Sequence, residues 1–377
     1  MQTKRFGLCA ALSAAALLLL AGCAGSGSTA APTLTVESSY PLQYAKQFTV
    51  DECTGGYELI TIADSQYLVV PQGAAVPEDL PQGTTVLQQP IENIYLVSTS
   101  AMDPIISLGA LDSIALSGTK ADGWYLPEAK AAMQAGQIAY AGKYSAPDYE
   151  TILASGCGLA IENTMIYHTP EVKEQLEKFG IPVLVERSSY ETDSLARMEW
   201  VKLYGFLLGK KQEAEQLFDT QVQRVAPLEN QQPTGKSVAF FSITSNNLVT
   251  VRKGSDYVAR MIEMAGGSYV FDDLTDSGNN LATINLSLED FYAGAKDADV
   301  LIYNSTIEGS IASTEQLVEK CPLLAQFKAV QNGNVWCTAQ SLFQQSMELP
   351  DLILDMNRVF TEGTPADSEL TFLTHVE

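Results

Sequence analysis

The most versatile catalytic side chain is scarce here: two histidines in 377 residues. His375 sits two residues from the end of the chain, so a Ser-His-Asp triad would have to be built on His168. His168 immediately precedes Thr169-Pro170, a helix-start signal, where a polar loop residue is the ordinary expectation and lining a ligand is the other. The sequence contains no G-x-S-x-G elbow, no phosphate-cradling glycine motif, no H-E-x-x-H and no C-x-x-C. Zinc hydrolases, zinc carriers and most haem sites call for several imidazoles. Carboxylates are abundant, but no spacing singles out the pair a glycosidase needs. The inventory favours binding over catalysis.

Charge narrows the partner. Against 22 Lys+Arg stand 45 Asp+Glu, a formal net charge of -23, and no basic stripe exists to neutralise nucleic-acid phosphates. With 46% hydrophobic and 18% charged residues the chain is globular rather than a disordered acidic polymer. Its length suits about two domains.

The N-terminus reads as an address. Lys4 and Arg5 precede an apolar run from Leu8 to Ala21, too short for a membrane-spanning helix, and small residues follow. That is a secretory signal over residues 1–22. Its end, Leu20-Ala21-Gly22-Cys23, resembles the bacterial lipobox, which implies cleavage before Cys23 and diacylation of its thiol. Residues 23–40 then form a flexible Gly/Ser/Ala/Thr tether with a reach of roughly 20–25 Å, leaving the protein extracytoplasmic and anchored to the cell membrane. Cys53, Cys157, Cys321 and Cys337 remain. They leave open a Cys321–Cys337 disulfide or buried free thiols.

The elements that must position any site follow an α/β pattern. Tyr57–Ile62 and Gln66–Val70 alternate around Ala63-Asp64-Ser65, a hairpin signal. A strand at 94–97 and a helix near 101–108 follow. Then comes a βαβ unit: strand 158–161, Thr169-Pro170 opening helix 171–179, Gly180 closing it, and strand 181–185. Thr192, Asp193 and Ser194 cap a helix to about Leu208 that is apolar nearly all round, so it must be covered on every side. A more amphipathic helix covers about 212–225. After the polar break Pro227–Gly235 the α/β pattern restarts: strand 238–243, helix 255–264 stopped by Gly266-Gly267, strand 300–303, strand 335–337 and a final helix 349–360. The expected architecture is two Rossmann-like α/β lobes, 41–190 and 231–377, joined by a helical segment over 191–230. A weak internal echo places Tyr149-Glu150 before one central strand and Leu288-Glu289 before another.

This arrangement resembles the cobalamin/siderophore-type (class III) periplasmic substrate-binding lipoproteins of ABC importers, over nearly the whole chain from about Tyr40. The resemblance is carried by Ala146-Pro147-Asp148-Tyr149-Glu150-Thr151-Ile152-Leu153, by Glu162 through Val172, and by Ile181-Pro182-Val183-Leu184-Val185-Glu186. The helix Ser189–Leu208, Met264-Ala265-Gly266-Gly267 and Val330 through Trp336 add to it. It implies a monomer that binds a small molecule between its lobes, closes only modestly around its helical link, and docks on a permease dimer served by ATPase subunits. It also implies one permease-docking glutamate per lobe, which by position are Glu150 and Glu289. Stabilisation of a helix start by an acid, worth about 0.3–1 kcal/mol, accounts for the same positions.

Cleft residues are expected in loops beyond strand ends. Tyr144 leads the candidates, followed by Trp124, Arg252 and Phe343; Tyr125, Ser100, Met102, Asn163, Met165, Asn304 and Gln344 complete the set. Among haem-binding members the axial ligands are Met and His. Tyr144 occupies the place of the former and Asn304 or Ser305 that of the latter, which leaves only a Tyr-ligated haem conceivable. A preassembled chelate needs aromatic walls and a few polar contacts instead of protein ligands to its metal, with no covalently bound cofactor. The order of expectation is a ferric siderophore, then a corrinoid such as cobalamin, then haem. Lys143, Arg187 and Arg252 are the cations available for an anionic chelate. The readings from other classes are a cell-surface lipoprotein hydrolase and a ligand sensor.

Overall fold

The computed structural model describes residues 32–275 and 282–377. The signal sequence, Cys23 and most of the tether lie outside the described residues. Among the described residues no helix is long and apolar enough to cross a membrane.

Three larger sheets, beside a two-stranded ribbon of Gly142–Lys143 with Ala146–Pro147, organise the described residues. The first is a meander, Val36–Ser39, Phe48–Cys53, Tyr57–Ile62 and Ser65–Val70, extended by Thr85–Gln88, which pairs in parallel with Ser65–Val70. The expected hairpin is at its centre: Ile62 pairs with Ser65, and Ala63 takes a φ of 49° in the tight turn between them. The strands on either side were not expected. Val36–Ser39 is exposed on every residue and edges the sheet, and Phe48–Cys53 carries Asp51 and Glu52. The tether expected over 23–40 therefore gives way to strand by Val36.

The second sheet is wholly parallel, in the order Val183–Val185, Ala160–Glu162, Ile94–Leu96, Ile114–Ser117, Ala139–Tyr140. Its strands read as apolar runs because both faces are covered. One face packs toward the large core and the other on a cluster of Tyr95, Val97, Ile152, Ile166, Leu176 and Val183. The third sheet has a parallel centre, Ser237–Ile243, Val300–Tyr303 and Val335–Thr338, flanked by antiparallel Val249–Arg252 and Leu373–His375.

The helix Ser194–Leu207 lies between these lobes and is buried at every residue. Asp193 caps it, accepting from the Leu195 amide at 2.8 Å. The next helix, Lys211–Val225, crosses it so closely at Gly205 that a Cβ there would stand 2.5 Å from the Ala214 Cβ. Phe48 meets Trp200 edge-on at 5.0 Å and Tyr40 meets Phe206 at 5.0 Å, so the meander sheet covers one side of this strut. Cys53, Cys157, Cys321 and Cys337 are all free thiols.

Candidate functional site

Three adjacent strands of the parallel sheet end at one place. Beyond Ile94–Leu96 come Ser98, Thr99 and Ser100; beyond Ala160–Glu162 comes Asn163; beyond Val183–Val185 comes Glu186. These line a pocket of about 250 Å³, closed from the other side by Arg252, Tyr257 and Phe343 and from the strut by Arg197. It lies outside the carboxyl ends of parallel strands, where open α/β sheets bind ligands.

The N-lobe wall is pre-set by hydrogen bonds. Glu186, 2% exposed, accepts from Ser98 Oγ at 2.9 Å, Ser100 Oγ at 3.1 Å and the Ser188 amide at 2.8 Å. The Asn163 side chain accepts from the Met165 amide at 2.9 Å, fixing the loop that follows its strand. On the opposite wall the Arg252 guanidinium lies 4.7 Å from the Phe343 ring centre and 3.6 Å from the Asp256 carboxylate. Arg197 stacks 4.9 Å over Tyr257. Burial pushes the Asp256 carboxyl upward, against the opposing pull of Arg252.

Of the residues expected from sequence, Ser100, Asn163, Arg252 and Phe343 converge on this pocket. Gln344 is adjacent and spans the lobes: its Oε1 accepts from the Tyr125 amide and its Nε2 donates to the Gly123 carbonyl, both at 2.8 Å. Tyr125 and Met165 are exposed near the rim, but neither lines the pocket. Others must be corrected. Trp124 is 1% exposed, with its indole N–H donating to Ser117 Oγ at 3.2 Å, and Met102 is fully buried in the core; neither surface faces the cleft. Asn304 is buried and caps the short helix after it, accepting from the Thr306 amide and hydroxyl, while Ser305 is bonded to Thr338. Tyr144 follows the Gly142–Lys143 strand and packs on the N-lobe cluster instead of the pocket. Lys143 is exposed and away from it, and Arg187 is held by Tyr167 and stacked over Tyr190. His168 is exposed at the end of a 3-10 turn.

Glu186, Arg197 and Tyr257 were not foreseen as lining residues. The available signal is Arg197 itself, one of three charges, with Glu199 and Lys202, set in a helix that is otherwise largely apolar.

Larger hollows lie elsewhere among the described residues. One, about 620 Å³, runs along the start of the strut between Asp193, Arg260 and Glu263; another, about 520 Å³, borders Gln89–Asn93 and Lys210; a third, about 310 Å³, lies between Lys46, Glu191 and Arg260. None of these sits beyond the parallel strand ends, so the smaller cleft pocket is the better site. Among the described residues no group of three or more His, Cys, Asp or Glu is placed to hold a metal ion.

Glu150 and Glu289 occupy equivalent exposed positions. Each is the second residue of a helix, Tyr149–Ala154 and Leu288–Ala295, capped by Asp148 and Ser287 respectively.

Two α/β lobes with a pocket at the strand ends can hold a small ligand between them. The family model described as "Periplasmic binding protein" matches residues 96–341, and the chain belongs to that family. It is thus a transport-type binding protein and not an enzyme. The fold is similar to that of a periplasmic binding protein from Veillonella parvula (TM-score 0.60, 16% identity, covering 84% of this chain and 98% of that one). It is also similar to the periplasmic haem binding protein HutB of Vibrio cholerae (TM-score 0.57, 17% identity, 73% and 99%). A third likeness is to an ABC-type Fe3+-hydroxamate transport system protein of Saccharomonospora viridis (TM-score 0.56, 22% identity, 72% and 94%). An uncharacterized lipoprotein of Methanocaldococcus jannaschii is 27% identical over 241 residues, 62% of this chain and 55% of that protein. A second, uncharacterized protein of the same organism is 27% identical over 170 residues, 44% and 49%. The chain thus spans about half the length of the curated relatives it matches.

Proposed function

We propose that this protein is the membrane-anchored, substrate-binding lipoprotein of an ABC importer, capturing a preassembled metal chelate between its lobes, with a ferric siderophore as the first ligand. The observation that carries this reading is the pocket itself. Hydrogen-bonded serines and Asn163 face Arg252, Phe343 and Tyr257 across it. Such walls suit a ligand that brings its own metal. The likeness in fold to a haem binding protein and to a vitamin B12 binding protein, both of Vibrio cholerae, keeps haem and corrinoid as the alternative ligands of the same site.

Delivery would use Glu150 and Glu289, one per lobe, as acceptors for permease arginines, with Cys23 as the lipid attachment. Charge reversal at both, Glu150→Arg with Glu289→Arg, should leave chelate affinity intact and abolish uptake; normal uptake by the double variant sinks the docking assignment.

Calorimetric titration with ferric siderophores, corrinoid and haem tests the ligand. Calorimetry suits this chain because Trp124, Trp200 and Trp336 are all buried to within 1%, which makes their fluorescence a poor contact probe. Binding tighter than about 10 μM, roughly −7 kcal/mol, is expected for at least one class. Failure of all three removes the chelate-importer reading.

A further inference from the structure

Resting on that reading of the cleft, we propose that the pocket grips an anionic oxygen group of its ligand, of the carboxylate class, between Arg197 of the strut and Arg252 of the C-terminal lobe. Arg197 is a buried charge with no direct acceptor in the protein. It is 7% exposed, yet its guanidinium makes no hydrogen bond or ion pair with any described residue; it stacks on the face of Tyr257 and feels the Asp256 carboxylate only through space. A guanidinium has five N–H donors and cannot discharge by losing its proton. Burying it without an acceptor is costly, and a partner anion removes the cost.

The surroundings show where that anion must come from. The negative groups nearest the pocket are already engaged: Glu186 by two serine hydroxyls and the Ser188 amide, Asp256 by Arg252 and the Val258 amide. Both arginines lie against one ring, Arg197 at 4.9 Å and Arg252 at 6.0 Å from the Tyr257 centroid, so their donors converge on a shared space. Stacking on Tyr257 and Phe343 holds the two planes, leaving the Arg197 edge free and the Arg252 edge shared only with Asp256, 3.6 Å from one of its nitrogens. A planar fork of donors matches a carboxylate. The pocket's volume of about 250 Å³ falls below the usual range of roughly 300–1,000 Å³ for drug-sized sites. It takes an arm of a chelate, with the bulk of the ligand toward the rim where Tyr125 and Met165 are exposed.

Arg197 also belongs to the strut that joins the lobes, and Arg252 to the far lobe, so one anion would tie the two together.

The test uses the soluble mature chain and calorimetry with three probes: a ferric carboxylate-type chelate, a neutral ferric trihydroxamate, and citrate without metal. The proposal expects the carboxylate chelate to bind at least tenfold tighter than the neutral one. Arg197→Met and Arg252→Gln should each weaken it by about 30-fold or more, the scale of losing one partner of a buried charge pair, with little change for the neutral chelate. Arg197→Met should leave the melting temperature of the ligand-free protein equal or higher, because no side-chain hydrogen bond or ion pair of the fold is lost with it; this keeps a lost affinity from being read as misfolding. Equal binding of neutral and carboxylate chelates, unaltered by either substitution, overturns the grip and leaves the importer reading standing. Citrate binding with no chelate binding does the reverse: the anion grip stands and the chelate reading falls. If no anion binds at all, the grip is overturned.

Discussion

Two charges two residues apart on the same buried helix are treated in opposite ways. Glu199, fully buried, is saturated: its oxygens accept from the amides of Gln43, Tyr44 and Ala45 at 2.7–3.1 Å and from Lys202 Nζ at 2.7 Å. Glu191 repeats the pattern nearby, accepting from the Lys46 and Gln47 amides and from the Trp200 indole. Five successive backbone N–H groups of the meander's loop are thus spent on two carboxylates at the strut. Arg197, on the pocket side, is left with its donors open. The saturated charges are part of the fold, and the open one is held ready for something the chain does not contain.

The sharpest way to break this contrast is to remove the saturated charge. Glu199→Ala strands three amides and leaves Lys202, 4% exposed at its side chain, without its anion. Loss of one partner from a buried pair costs about 3–5 kcal/mol. Urea denaturation should show that loss, and the segment around Tyr44 should gain hydrogen-exchange rate. Arg197→Met, by contrast, should leave stability equal or higher. Were both substitutions to destabilise alike, Arg197 would be as structural as Glu199 and the distinction between them would collapse.

Glu162 offers a third solution to the same problem. It is fully buried, neither oxygen has a hydrogen-bond partner, and burial alone raises its carboxyl to about 8. Unlike a guanidinium it can shed its charge, here by keeping its proton. The folded value lies above the ordinary 4.5, so the native state binds the extra proton between the two. Stability from this group is therefore full below the unfolded value and is lost as pH rises toward the folded one. Between about pH 5 and pH 8 the protein should weaken by a few kcal/mol, on the order of 1.4 kcal/mol per pH unit from this group at most. Glu162→Gln should flatten that slope in melting curves taken across the range; a slope as steep in the variant assigns the effect to other groups, such as Asp103, which burial raises to about 6.

How much of this could be read beforehand follows from which interactions are local. The hairpin around Ala63-Asp64 and the βαβ unit through Glu186 were legible because alternation, caps and glycine stops act within a few residues. The strut was legible from its apolar run, and its position between lobes followed from having no polar face. Phe48–Cys53 hid because its acids faced solvent or Lys211, and Val36–Ser39 because an exposed edge strand has no burial to pattern it. Trp124 is illegible because nothing near it in sequence shows that Ser117 takes its indole N–H. Arg197 is illegible for another reason: nothing in the sequence distinguishes it from Glu199 and Lys202, the two charges of the helix that pair with each other.

The smallest effect expected concerns how the open site is closed. Phe343 stacks on Arg252 while Gln344, next to it, bonds the Gly123 carbonyl and the Tyr125 amide across the cleft. Ser346 Oγ donates to the Ser100 carbonyl at 2.9 Å and the Met347 amide to Asp103 at 2.7 Å, continuing the seam. Gln344 is only half-buried, so each of its two bonds competes with water and contributes about 0.5–1.5 kcal/mol. Gln344→Ala should therefore hardly shift the melting temperature. It should instead lower the fraction of molecules with the cleft closed, and apparent affinity falls by that same fraction, at most about fivefold for a loss of 1 kcal/mol. Calorimetry on the variant, paired with small-angle scattering of the ligand-free chain, separates the cases. A larger radius with weaker binding identifies Gln344 as a latch over the arginine pair. Unchanged radius and unchanged affinity would show that the strut alone sets the lobe spacing, and the pocket would then be as fixed a part of the fold as the nest around Glu199.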